Sequence, residues 1–109
     1  MRFKTDMEAL VLGALADGPL HGYGIVKKIR DQSNGLFGLP ESQLYPLLHQ
    51  MQARGWIQGE WEMSASGPAR KCYTLLAPGR AELGARRQHF EQFTAAVGNL
   101  LIAKERSLG

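Results

Sequence analysis

Cysteine is almost missing from this chain. Cys72 is the only one among 109 residues, which excludes an internal disulfide and fits a reducing compartment. Long apolar runs are missing as well: no stretch approaches the ~20 residues of a membrane span. The N-terminal MRFKTDMEAL lacks the apolar core of a signal peptide. The expectation is a soluble, cytoplasmic protein with no membrane partner. The three histidines, His21, His49 and His89, stand far apart in separate predicted elements, and with one cysteine they make no metal-ligand spacing. Neither a metal nor a cofactor is expected. There is no Gly-rich phosphate loop, no credible pair of carboxylates and no nucleophile–base arrangement, which argues against an enzyme. Internal repeats and low-complexity segments are also lacking. Charge is only mildly unbalanced, with 13 Lys+Arg against 10 Asp+Glu, a net charge of +3. Such a balance permits a polyanionic partner without demanding one.

What is present is one domain's worth of chain, 44% hydrophobic, enough for a small core. Thr5 to Ala16 reads as a first helix. Thr5 and Glu8 have capping-box spacing, Met7, Leu10, Val11, Ala14 and Leu15 form the apolar stripe, and Asp17-Gly18-Pro19 ends it. Leu20 to Ser33 reads as a second helix opening on His21-Gly22-Tyr23-Gly24. Two glycines there weaken the helix by ~1 kcal/mol each, a cost consistent with a close backbone approach. Its cations Lys27, Lys28 and Arg30 form either a solvated face or a clamp on a phosphate backbone. Asn34-Gly35 stops it.

The third helix, Pro40 to Arg54 with Gly55 as cap, has two unlike faces. Leu44, Leu47, Leu48 and Met51 recur at i, i+3, i+4 and i+7. The other face carries Ser42, Gln43, Tyr45, His49, Gln50 and Gln52, almost uncharged yet rich in groups that donate and accept hydrogen bonds. Taken alone, this is an ordinary amphipathic helix or a face that reads base edges in a major groove. Pro46 is tolerable if the regular helix starts late, near Ser42 or Gln43, so that the proline lies in or just past the first turn. Trp56 to Glu62 and Arg70 to Leu76 read as two strands of a hairpin, with a turn at Ser64 to Pro68. Ala77-Pro78-Gly79 is expected to break the chain. Arg80 to about Arg106 reads as one long helix with a heptad-like seam, Leu83, Phe90, Phe93, Val97, Leu100 and Leu101. So long a seam is expected to meet a second copy of the chain.

Three short helices, a hairpin and a long helix predict a mainly α fold with a small β-hairpin. The plan is a winged helix-turn-helix over residues 1–78 and a C-terminal dimerisation helix over 79–109. In such folds the last short helix enters the major groove of double-stranded DNA. Cations near the hairpin suit phosphate, while polar side chains specify sequence.

Three blocks, LHGYGIVKKI, ESQLYPLLHQMQARGWI and RKCYTLLAPGRAEL, resemble the signature segments of the PadR family of bacterial transcriptional regulators. The resemblance covers about residues 5 to 85. It rests on Gly22-Tyr23-Gly24-Ile25, Gln43-Leu44-Tyr45-Pro46-Leu47-Leu48, Gly55-Trp56-Ile57 and Arg70 to Gly79 in that order. Cys72 and Ala77 depart from the family pattern, which more often has tyrosine and threonine there. The resemblance implies a homodimeric repressor on a roughly palindromic operator, with DNA contacts from Tyr23, Ser42, Gln43, Tyr45, His49, Arg70 and Lys71. It also implies a small aromatic or amphipathic effector near Phe90 and Phe93. Phe93 aligns with a tryptophan that stacks on planar ligands in one branch of the family. The competing expectation is a winged-helix protein-interaction module that binds no DNA. For single residues, Tyr45 contacts phosphate or packs under the wing, His49 reaches the groove edge or is solvated, and Tyr23 contacts phosphate or joins the core. Trp56 and Trp61 are expected in wing and core packing, and Cys72 as buried and inert.

Overall fold

Local capping signals set the limits of most elements. The computed structural model describes residues 6–63 and 65–102. Helix α1 (Met7–Ala14) starts on Asp6, whose carboxylate accepts a hydrogen bond from the Ala9 amide at 3.0 Å. Thr5, the cap expected from spacing, lies outside the described residues. Strand β1 (Leu20–His21) precedes helix α2 (Gly22–Gln32). The second helix therefore starts two residues later than its apolar pattern indicates, because Leu20 and His21 are extended and pair with a strand far along the chain. Past the C-cap of α2 at Ser33, Asn34 takes the left-handed conformation at φ 54°. The Gly35 amide then reaches back to the Arg30 carbonyl at 2.8 Å, closing the turn as a C-terminal cap.

Helix α3 (Glu41–Ala53) follows Pro40, and Pro46 is its sixth residue. A proline there lacks the N–H that would bond the Ser42 carbonyl. Both residues are exposed, so water can serve that oxygen. Gly55, at φ 75°, turns the chain out of α3. The Trp56 amide donates to the Met51 carbonyl at 3.0 Å and the Gly55 amide to Gln52 at 2.9 Å, the paired bonds of a left-handed helix cap.

Strands β2 (Ile57–Glu62) and β3 (Arg70–Leu75) form the hairpin, and β1 adds to the far edge of β3, giving an antiparallel sheet of order β1-β3-β2. Strand β1 is not among the elements expected from local pattern. Ala77-Pro78-Gly79, expected as a break, is instead the first turn of helix α4 (Ala77–Leu101). Proline fits an opening turn, whose N–H groups have no intrahelical partner. The residues beyond Ile102, where the long helix is expected to end, lie outside the described residues.

The core joins Val11, Leu12 and Leu15 of the α1 region to Ile25 and Ile29, to Leu44, Leu48 and Met51, and to Ile57, Tyr73 and Leu75 of the sheet. Leu83 belongs to this cluster. That corrects its place in the seam: it packs within its own chain, because the first two turns of α4 lie on the core. The third turn still meets the start of α1, where Arg86 binds Asp6 and Glu8; beyond it most described residues of α4 are exposed, and Val97 and Gly98 are half-buried. The molecule measures 64 × 27 × 24 Å, with a radius of gyration of 17.0 Å against about 13 Å for a compact chain of this size. No helix among the described residues is long and apolar enough to cross a membrane.

Gly79 sets the angle at which α4 leaves. A Cβ there would stand 2.1 Å from the Trp56 carbonyl oxygen, whereas one at Gly84 meets nothing within 4 Å. Gly79→Ala is expected to cost about 3 kcal/mol. Gly84→Ala is expected to add about 0.5–1 kcal/mol of stability. Urea unfolding of the two variants checks the contrast.

Candidate nucleic-acid interface

The polar face of α3 is one continuous surface. Ser42, Tyr45, Pro46 and His49 recur at i, i+3, i+4 and i+7 opposite the buried Leu44, Leu48 and Met51, and Gln43 flanks them. All five are exposed. Of the two expectations for Tyr23, the core is excluded, since it is 66% exposed on α2.

Tyr45 lies at the centre of this surface. A Cβ at Gly22 would stand 2.7 Å from its hydroxyl oxygen, so the missing side chain at the start of α2 makes room for the ring. Tyr73 lies nearby on the sheet: burial, and after it the Tyr45 hydroxyl, pushes its phenol above the usual tyrosine range. Tyr45 remains 47% exposed, held by its neighbours and open on one side.

Arg70 and Lys71, paired by their sequence adjacency, point to opposite faces of the hairpin, as neighbours on a strand must. Lys71 shares a face with Trp61 and Tyr73, and its ammonium lies 5.8 Å from each ring centre. Gly59 lets it lie flat, since a Cβ there would meet Lys71 Cε at 2.6 Å and Gln52 Oε1 at 3.0 Å. Gln52 Oε1 also accepts from the Gly59 amide at 3.2 Å, tying α3 to the wing. Of the two tryptophans expected in wing and core packing, Trp56 packs against the core and Trp61 lies on the wing. Trp61 is 68% exposed beside Lys71, an aromatic–cation pair on the wing that strand alternation with Lys71 and Tyr73 indicates.

The other cations nearby are taken up by the fold. Lys27 pairs with Asp31 at 2.8 Å. Lys28 pairs with Asp17 at 2.9 Å and donates to the Ala14 carbonyl at 3.0 Å, so it braces α2 against the end of α1. Arg54, the one cation of the α3 segment, binds Glu8 at 2.9 Å and lies over the Trp56 ring. Arg86 lies over the same ring and binds Asp6, Glu8 and Glu82 at 2.9, 3.0 and 2.7 Å. Burial works against its charge, but these carboxylates outweigh it and hold its protonation above the ordinary arginine range.

On the outer face of the sheet, His21, Glu62 and Cys72 come together, each offering one donor atom within 4.8 Å of the others. Sequence spacing did not announce this group, since its members come from three strands. Burial, then Glu62 and Glu60, raise the Cys72 thiol above the usual range. On α4, Phe90, Phe93, Leu100 and Leu101 are exposed and Val97 is half-buried.

Three helices followed by a hairpin on the core define a winged-helix fold. Residues 11–85 match the transcriptional regulator PadR-like family. The chain belongs to that family, as its sequence blocks indicated. It is 30% identical over 73 residues to the negative transcriptional regulator PadR of Bacillus subtilis (strain 168), matching 67% of this chain and 40% of that relative's length. A PadR-like transcriptional regulator from Bacillus cereus superposes with a TM-score of 0.76 at 28% identity, covering 88% of this chain and 91% of that one. Bacillus subtilis PadR in complex with operator DNA superposes with a TM-score of 0.66 at 28% identity, over 72% of this chain and 45% of that chain.

The close approach of Gly22 to Tyr45 predicts a selective effect. Gly22→Ala should displace the Tyr45 ring, read as a shift of its NMR resonances, while unfolding free energy stays within about 1 kcal/mol of the parent.

Proposed function

We propose that this chain is a sequence-specific operator-binding regulator that acts as a homodimer and represses transcription. The observation that carries the reading is the uncharged, hydrogen-bonding face of α3, flanked by exposed Tyr23 and by Lys71. Ser42, Gln43 and His49 would meet base edges in the major groove. Tyr23, Tyr45, Lys71 and, from the other side of the wing, Arg70 would meet phosphates. The operator-bound Bacillus subtilis structure supports DNA as the partner, and the name of the related negative regulator supports repression.

Dimerisation through α4 supplies two reading helices related by a two-fold, which suits a roughly palindromic site. Phe90, Phe93, Val97, Leu100 and Leu101 would form the seam. A planar aromatic or amphipathic effector stacked near Phe90 and Phe93 would change the spacing of the two α3 helices and release the DNA.

Gel shift with the DNA upstream of the chain's own gene, at moderate salt, tests the reading. Tyr45→Ala is expected to weaken binding by about 1–3 kcal/mol, and Gly22→Ala by less. The double change Arg70→Ala/Lys71→Ala should weaken binding to every sequence. It should also flatten the salt dependence by about one unit of slope for each phosphate no longer neutralised. Unchanged affinity in both the Tyr45 variant and the double variant would overturn the site. A chain that stays dimeric yet ignores this DNA would favour a protein-interaction module.

Phe90→Asp with Leu100→Asp should convert the dimer to a folded monomer in sedimentation. Operator affinity should then fall by at least about tenfold, since the second half-site no longer contributes.

A further inference from the structure

The outer face of the sheet gathers three chemically different donors at one spot. Register places His21 directly opposite Cys72 across β1 and β3, and Cys72 directly opposite Glu60 across β3 and β2. Glu62 is two residues along from Glu60, so it projects from the same face. The donor atoms of His21, Glu62 and Cys72 all lie within 4.8 Å of one another. His21 Nε2 is buried from solvent and has no hydrogen-bond partner; the nearest Glu62 oxygen stands 3.6 Å away. A buried ring nitrogen without a partner is costly, and its arrangement beside a thiol and a carboxylate is what a metal ion would resolve.

We propose that His21 Nε2, the Glu62 carboxylate and Cys72 Sγ form a binding site for a thiophilic divalent ion, Zn2+ by its donor set. One nitrogen, one sulfur and one oxygen donor suit Zn2+ in tetrahedral geometry, with water in the fourth position. Ligand atoms around such an ion lie roughly 3.4 Å apart, from bond lengths of about 2.0–2.3 Å. The three donor atoms lie within 4.8 Å of one another, so an ion would draw them slightly together. Glu60, whose carboxylate accepts from Gln58 Nε2 at 2.6 Å, adds negative charge beside the site. Arg70 on the same face opposes it. Binding replaces the thiol proton of Cys72 with the metal, and that proton leaves to solvent. The ion would pin the short β1 to the wing, one residue before Gly22 makes room for Tyr45.

The test uses the full chain, reduced and stripped of metal, with no DNA present. Its failure therefore leaves the reading of α3 untouched. Titration with Co2+ is expected to give a thiolate-to-metal charge-transfer band saturating at one ion per chain. Zn2+ should displace the Co2+ in competition with a chromophoric chelator. Cys72→Ser should abolish the band. His21→Ala and Glu62→Gln should each weaken Zn2+ binding by at least about tenfold, since even outer-shell changes cost 10–100-fold. His89→Ala, outside the cluster, should change nothing. Circular dichroism verifies that the variants fold, and Cys72→Ser, the smallest change, keeps the test decisive if His21→Ala does not. Absence of the band in the parent chain would overturn the proposal, as would binding that survives both Cys72→Ser and His21→Ala.

Discussion

The geometry of the molecule depends on the backbone of Trp56. Its amide closes the cap of α3 on Met51, and its carbonyl accepts from the Leu76 amide at 2.9 Å. Gly79 packs against that carbonyl with no room for a side chain. One residue thus joins the end of α3, the start of the wing and the start of α4. Its ring is held as well. Arg54 and Arg86 lie over it, at 5.0 and 5.3 Å from its centre, and both bind Glu8 of α1. An exposed ion pair contributes little, but Arg86 is largely buried and shares carboxylates from α1 and α4. A bridged network of this kind orients elements even where its net stabilisation is small. The relation between α3 and the long helix is therefore set by contacts on both sides of Trp56.

The same network explains how charge is distributed. Four cations near the α3 surface, Lys27, Lys28, Arg54 and Arg86, are committed to carboxylates of their own chain. They brace the domain and leave the face of α3 free of positive charge. The face of α3 is instead a surface of hydroxyl, amide, phenol and imidazole groups, each able to donate or accept hydrogen bonds. Lys71, held over two aromatic rings, keeps its ammonium in a defined place on the wing.

The parts of this fold that are legible in the sequence are those fixed by local rules. The apolar spacing of Leu44, Leu48 and Met51 names the buried face of α3, and Gly55 names its end. The hairpin follows from turn composition and strand residues, with Arg70 starting β3 as expected. What is not legible depends on residues far away in the chain. Leu20 and His21 fit a helical pattern, yet an unpaired edge of β3, some fifty residues on, draws them into a strand. Ala77-Pro78-Gly79 has the composition of a break, but proline and glycine also suit a helix start that must pass close to another backbone. Leu83 sits at a heptad position and still belongs to the core, because heptad spacing cannot say which partner a residue meets. Composition does not say which tryptophan packs on the core and which on the wing; sheet register places Trp61 opposite Lys71. The His21–Glu62–Cys72 group is invisible for the same reason: sheet register, and no spacing along the chain, brings it together.

The outer half of α4 follows from these constraints. Its inner turns are spent on the core through Gly79 and Leu83, so its apolar residues divide into two sets with different partners. Phe90 and Leu101 are 65% and 66% exposed. Full burial of such side chains is worth about 1.5–3 kcal/mol each, so a seam of several can offset the cost of bringing two chains together. A shorter α4 would leave the domain intact and forfeit that gain. A more polar one would expose less apolar surface. The joint at Trp56 ties the start of α4 to the end of α3, so the direction of the outer half of α4 is fixed relative to the polar face of α3.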